Sequence, residues 1–355
     1  MRRSLHHSAG VRPLVVRFGA LGDMVLLGAA LRELSVRYQT PVDVLTSGEW
    51  SKWVVEGQPG VGTVYRVASR KRPFWMSPSQ WHVVHQLKER PPGPVWFLDP
   101  SHAGRQLLTR AGIDEAHVID FNAVTHSSLD HILTKTSRVI QRSPKAYPPI
   151  YSLNLEDPMI KGSLLELPAS WRAAFERWLA QRPFANQRVL LFQPGNSVTT
   201  RRGRLARATN LKYWSLNHWA AVLQECAALY PEHALLLIGT AQEARLNEKI
   251  ATLANRPQIH NVSKDLPLDR LLALCNYADG MVSVDTGPAH LASAVGLPMV
   301  VLFGPSRPSE YRPISAYGSQ VVCVDTPKPP YLRYVEVRQV IEAVHQLVLK
   351  RTPLL

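Results

Sequence analysis

The chain has 355 residues, 45% hydrophobic and 19% charged, which is too long for one typical core and too apolar for a disordered protein. Lys and Arg number 41 against 27 Asp and Glu, and the net charge of +14 favours anionic partners: nucleotides, nucleic acid or a phosphate-rich membrane surface. Three scattered cysteines (Cys226, Cys275, Cys323) argue against a disulfide framework or zinc site, and no run approaches the roughly 18 apolar residues of a membrane-spanning helix.

Residues 1–10 read as a loose basic tail, and Arg17 and Asp23 interrupt the following apolar stretch too early for a signal peptide. Leu14-Val15-Val16 is a first strand. Met24 to Tyr38 then shows helical spacing through Leu26, Leu27, Ala30, Leu31 and Leu34. Val42–Leu45 is a second strand, so the chain opens with a βαβ unit. Val64–Val67 and Val95–Leu98 are further strands, with a helix over His82–Lys88 between them. The basic, aromatic stretch 69–80, with Arg70, Arg72, Phe74 and Trp75, has no clear period and reads as a surface loop. Prolines between Ser143 and Pro168 mark an interdomain connection.

A second α/β set begins with a helix over Trp171–Leu179 and a strand over Val189–Phe192. Trp214–Tyr230, Leu235–Ile238, Ala244–Leu253 and Leu268–Ala278 continue the alternation. Gly280 to Pro305 reads strand, tight polar turn, helix, Gly-Leu-Pro break, strand, which is a βαβ unit in a parallel sheet buried on both faces. Val335–Lys350 carries Val337, Val340, Ile341, Val344 and Leu347 at helical spacing and forms a closing amphipathic helix. The expectation is a doubly wound domain over 1–170, a second over 171–334, and a helix and tail over 335–355 that packs back on the first. A cleft between two such units is where ligands bind.

Five strand ends carry polar residues suited to chemistry. Gly19-Ala20-Leu21-Gly22-Asp23 lets backbone approach a ligand. Asp23 is either a cap of the following helix or a general base taking a proton from an attacking hydroxyl. Gln193-Pro194-Gly195-Asn196-Ser197 is followed by Thr199, Thr200, Arg201, Arg202, Arg204, Arg207 and Lys212. Hydroxyls and cations there suit a diphosphate, though a charge run is also an ordinary solvated loop. Glu243, after the apolar Leu237-Ile238, can accept both hydroxyls of a ribose or cap a helix. Asp285-Thr286-Gly287 with His290 sits at a strand-to-helix handover, where free N–H groups favour an anion, unless Asp and Thr serve only as caps. Asp99, His102 and Arg105 end a strand of the first half and either line a wall of the cleft or give ordinary turn polarity. No nucleophile elbow, phosphate-binding GxxxxGK[ST] loop, HExxH or acid-flanked DxD pair is present, which weakens hydrolase, ATPase and metal-dependent readings.

Taken together, Arg17-Phe18-Gly19-Ala20-Leu21-Gly22-Asp23 and Ser283-Val284-Asp285-Thr286-Gly287-Pro288-Ala289-His290-Leu291, continued by Ala294-Val295-Gly296-Leu297-Pro298 and Leu302 to Ser306, resemble the lipopolysaccharide heptosyltransferases of glycosyltransferase family 9. The resemblance implies two Rossmann-like α/β domains facing across a cleft (GT-B type). It also implies an inverting transfer of heptose from ADP-heptose to a lipid A–core acceptor, without metal or cofactor. By that likeness Asp23 is the base and Lys212 neutralises the leaving diphosphate, with Thr199 or Thr200 also on phosphate. Asp285, Thr286, Gly287 and His290 hold the donor's sugar and diphosphate, and Glu243 the adenosine ribose. Gly22, Asp99, His102, Arg105, Arg70 and Arg72 fall on the acceptor side. The family's phosphate loop is shorter than the arginine-rich Thr199–Asn210 stretch, which points to a different acceptor or an altered donor.

The location implied is cytoplasmic, peripheral to the anionic inner face of the inner membrane, with basic and aromatic residues at 70–75 facing acceptor or lipid. Another nucleotide sugar or a protein acceptor on the same fold is the alternative. A nucleic-acid-binding protein is disfavoured, because the basic residues are dispersed and carry no recognisable nucleic-acid motif.

Overall fold

The structure, a computed structural model, describes residues 11–69, 72–99, 102–124, 127, 129–147, 162–201, 204–205, 209–326 and 331–350, with backbone alone at 102–103, 200–201 and 204–205. The chain divides into two compact units, Met1–Lys161 and Gly162–Leu355. The boundary falls earlier than 170. Ser163 bridges Ser315, and the Leu165 amide donates to the Ala294 carbonyl, so this stretch already belongs to the second unit.

The first unit contains β1 (Leu14–Val16), α1 (Leu21–Tyr38), β2 (Val42–Ser47), α2 (Ser51–Val54), β3 (Val61–Val67), α3 (Pro78–Glu89), β4 (Val95–Phe97), α4 (His102–Arg110), β5 (Val118–Asp120) and α5 (Ile132–Ile140). Its strands form one parallel sheet in the order β3-β2-β1-β4-β5. The apolar side chains of β1 and β4 are fully buried, as parallel strands covered by helices on both faces require. Leu14, Val16, Leu45, Val67, Val83, Leu87, Phe97 and Leu108 share one core cluster. The 72–80 part of the 69–80 stretch is more regular than its sequence suggests. Phe74–Met76 is a 3₁₀ turn, Phe74 packs on the core, and Pro78 begins α3, where its missing N–H costs nothing.

The second unit contains α6 (Ala169–Leu179), β6 (Arg188–Gln193), the two-stranded β7 (Thr200–Arg201) and β8 (Arg204–Leu205), α7 (Leu216–Leu229), β9 (His233–Leu237), α8 (Ala244–Ala254), β10 (Ile259–Asn261), α9 (Leu268–Tyr277), β11 (Gly280–Val284), α10 (Gly287–Ala294), β12 (Met299–Leu302), α11 (Pro308–Tyr311), β13 (Val321–Val324) and α12 (Val337–Gln346). The main sheet is parallel throughout, in the order β10-β9-β6-β11-β12-β13. Both sheets thus reverse direction beside their first strand, between β1 and β4 and between β6 and β11. Those reversals open the crevices in which doubly wound sheets bind ligands.

The closing helix packs within the second unit. Val340, Ala343 and Val344 of α12 join Trp214, Val222 and Leu302 in the second unit's own core, and α12 packs on α7, β12 and β13. Among the described residues, no helix is long and apolar enough to cross a membrane.

Candidate functional site

In the first unit the reversal is held by hydrogen bonds between the ends of β1 and β4. Arg17 donates through Nη1 to the Leu98 carbonyl at 2.6 Å and through Nη2 to Asp23 Oδ1 at 2.6 Å. The other Asp23 oxygen accepts from the Ala20 amide at 2.9 Å. Asp23 therefore caps α1, and its carboxylate remains 31% exposed. A pocket of about 20 Å³ adjoins it, walled by Arg17, Leu26, Leu27, Leu98, Ile132 and Thr136. Gly22, on the first turn of α1, is buried beneath this loop.

Asp99 does not line an open wall. It is 0% exposed, and its Oδ2 accepts the Phe18 amide at 2.7 Å, fastening β4 to the turn after β1. Arg105 is also engaged within its own unit. It pairs with Glu115 and Asp120 and lies 5.4 Å from the Phe97 ring centroid. Arg72 is exposed, Arg70 lies outside the described residues, and so does the His102 side chain. An acceptor surface made of Asp99, His102 and Arg105 is thus reduced to positions whose visible members are structural.

In the second unit the reversal brings two expected residues together. Lys212 Nζ donates to Asp285 Oδ2 at 2.6 Å and to the Asp285 carbonyl at 2.9 Å. Asp285 follows β11, and Lys212 lies on the loop that returns from β6, so the pair spans the crevice. Asn210 sets the approach of Lys212, since its Oδ1 accepts the Lys212 amide at 3.0 Å. Asp285 does not cap α10, because its carboxylate goes to Lys212. Thr286, at the cap position with extended backbone (φ −158°, ψ 168°), makes no side-chain capping bond either. The first turn of α10, with Gly287, keeps unspent donor capacity and the positive end of the helix dipole. His290 lies buried one turn further along α10.

Thr199 has a structural place. It is buried, and its hydroxyl accepts the Asn196 amide at 2.6 Å while its own amide donates to the Asn196 carbonyl. The side chain of Thr200 is not among those described. Glu243 precedes α8 without capping it. Its Oε2 accepts the Thr240 amide at 2.7 Å and the Thr240 hydroxyl at 3.0 Å. Burial raises its pKa, against the opposing pull of the Thr240 and Thr199 donors. Gly195 explains the fit, since a Cβ there would stand 2.1 Å from Glu243 Oε1. Glu243 therefore lies against the end of β6, next to the crevice.

The residues that position this chemistry were given no site role from sequence: Arg17, Asn196 and Asn210. Arg17 was legible as a cation six residues before Asp23, within the same turn. The asparagines gave no signal beyond loop composition. Among the described residues no group of three His, Cys, Asp or Glu is arranged to hold a metal ion.

The sequence profile of glycosyltransferase family 9 (heptosyltransferase) matches residues 140–340, a span that includes Lys212, Glu243, Asp285 and His290 and leaves out Asp23. Lipopolysaccharide heptosyltransferase 2 of Salmonella typhimurium is 21% identical over 332 residues, 85% of each chain. Its Escherichia coli counterpart is 26% identical over 147 residues, and that match spans 40% of the length of each. The structure of E. coli ADP-heptose lipopolysaccharide heptosyltransferase II superposes with a TM-score of 0.70 at 18% identity, covering 95% of this chain and 98% of that one. That likeness is one of fold, two Rossmann-like α/β units of the GT-B type.

Proposed function

The chain belongs to glycosyltransferase family 9, the heptosyltransferases, and from that premise we propose that it moves heptose from ADP-heptose to an inner-core sugar of lipopolysaccharide, with inversion and without a metal. The observation that carries this reading is the Lys212–Asp285 pair across the second sheet's reversal, beside the open N-terminus of α10. A nucleoside diphosphate leaving group needs compensating positive charge, and a Lys ammonium with helix N–H groups provides it in place of a cation.

In the first unit Asp23 is the base. It takes the proton of the acceptor hydroxyl as that oxygen forms its bond to the anomeric carbon. The bond from that carbon to the β-phosphate oxygen breaks, and its electron pair leaves with ADP. Attack from the face opposite the leaving group inverts the centre. Lys212, the Gly287 amide and Thr286 take up the developing charge on phosphate, Asp285 and His290 hold the heptose, and Glu243 binds the ribose. Thr199 shapes the phosphate loop from beneath and does not touch the phosphate.

Two features extend the reading to peripheral attachment at the inner face of the inner membrane. Trp75 is 71% exposed, with Met76 and Trp81 also exposed and Arg72 close in sequence, a composition suited to an anionic lipid surface. The decisive experiment incubates the purified protein with ADP-heptose and truncated core acceptors and weighs the products. A mass increase of one heptose is expected. Asp23→Ala should abolish it while leaving ADP affinity nearly intact, and full activity in that variant refutes the base assignment. A screen of other nucleotide sugars and protein acceptors separates the alternative, which the arginine-rich 199–210 stretch keeps in view.

A further inference from the structure

Trp50 is 39% exposed, yet its indole is fixed in place. Its Nε1–H donates to the Gly19 carbonyl at 3.2 Å. The ring also lies against the backbone at Gly48, where φ is +91° and an added Cβ would stand 2.6 Å from Cε2 and Cζ2. Any other residue at 48 would both resist that conformation and push the ring away. On the far side of the same turn, an added Cβ at Gly19 would stand 2.4 Å from the Asp23 Cβ. Gly19 is thus the spacer between an exposed aromatic ring and the carboxylate.

The fold explains why the two meet. β2 lies beside β1 in parallel register, with Leu45 opposite Val16, so the loops leaving both strands emerge at the same sheet edge. Trp50 leaves one strand and Asp23 leaves the other. A large apolar ring half in water at a ligand-binding edge, with its orientation already set by a hydrogen bond, is a preorganised contact surface.

We propose that Trp50 is the stacking platform of the acceptor sugar. The C–H face of a pyranose carries partial positive charge and packs on the electron-rich face of an indole, while the sugar's hydroxyls stay at its rim. A ring held there presents a rim hydroxyl toward Asp23. This rests on the reading of Asp23 as the acceptor's base. Trp50 binds and orients the acceptor and takes no part in proton transfer.

The test compares Trp50→Ala and Trp50→Phe with the full-length wild type, using ADP-heptose and truncated inner-core oligosaccharides freed of lipid. Trp50→Ala is expected to raise the acceptor KM roughly tenfold, with donor KM and kcat near wild type. Trp50→Phe keeps a ring but loses the bond to Gly19, so its acceptor KM should stay within about threefold. Three outcomes overturn the proposal: an unchanged acceptor KM in Trp50→Ala, a shift in donor KM instead, or a fall in kcat equally large in both variants. The last would mean that the indole only braces the Gly19–Asp23 turn. Absence of transfer by the wild-type protein is a different failure. It removes the acceptor reading itself, and the platform with it.

Discussion

Lys212→Met takes away an ammonium 2.6 Å from Asp285 Oδ2 and strands a carboxylate that is only 7% exposed. Removing one partner of a fully buried pair costs about 3–5 kcal/mol, and an exposed pair contributes about 0–1 kcal/mol. Lys212 is itself 26% exposed, which places this pair between the limits, at about 2 kcal/mol. For a unit of the size of Gly162–Leu355 that corresponds to a melting shift of about 4–8 °C. Adding Asp285→Asn removes the stranded charge and should return most of the lost stability. Catalysis should part company with stability at this point. Losing a cation at the leaving diphosphate costs roughly 100- to 1000-fold in rate, and neutralising residue 285 cannot restore it. Calorimetry of the two single variants and the double, beside single-turnover transfer from ADP-heptose, reads both quantities. If transfer recovers together with stability in the double variant, Lys212 is only a structural partner of Asp285, and the diphosphate assignment is wrong.

Burial lifts the Glu33 carboxyl from 4.5 to about 7, against the opposing effect of Arg37. The folded protein holds that proton more tightly than the unfolded chain does. Its stabilising contribution is therefore complete below about pH 4.5 and is lost as pH rises through about 7. Glu33→Gln should lose less melting temperature than wild type between about pH 5 and 8, and parallel melting curves would show that the group does not titrate there. Gly195→Ala would set a methyl carbon 2.1 Å from Glu243 Oε1, forcing the carboxyl away from the Thr240 amide and hydroxyl. Two such hydrogen bonds are together worth about 2–3 kcal/mol. ADP affinity by titration calorimetry should fall at least about tenfold, and an unchanged affinity would remove Glu243 from the nucleotide site.

The central strands were legible because parallel strands buried on both faces are continuous apolar runs, whereas the partly buried edge strands β5, β10 and β13 were not. Val189 to Phe192 and Met281 to Val284 could hardly be anything else. The site was legible where a polar residue follows such a run at once, as at Asp285. It was not legible where the same pattern serves the fold. Asp99 follows the apolar run Val95–Leu98 as abruptly as Asp285 follows β11, yet its carboxylate is spent on the Phe18 amide. Spacing along the chain cannot separate these cases, because the deciding atom comes from a residue 81 positions away in one and 73 in the other. Of the short helices that were missed, two show different reasons. α5 is capped by His131, whose Nδ1 accepts the Leu133 amide, outside the usual Ser, Thr, Asp and Asn signal. α4 starts inside the polar stretch that was read as a turn, although Leu107, Leu108 and Ala111 repeat at helical spacing.

The two reversals answer one physical problem with opposite charges. In the first unit a cation, Arg17, orients an acid; in the second an acid, Asp285, orients a cation. In each pair the orienting member is the less exposed: Arg17 at 15% beside Asp23 at 31%, and Asp285 at 7% beside Lys212 at 26%. That asymmetry suits a reactive group. The buried partner fixes direction and loses little further freedom when substrate arrives, while the outer partner keeps a lone pair or a proton within reach of it. Asp23 and Lys212, the proposed base and diphosphate partner, are thus the members left accessible, and Arg17 and Asp285 orient them.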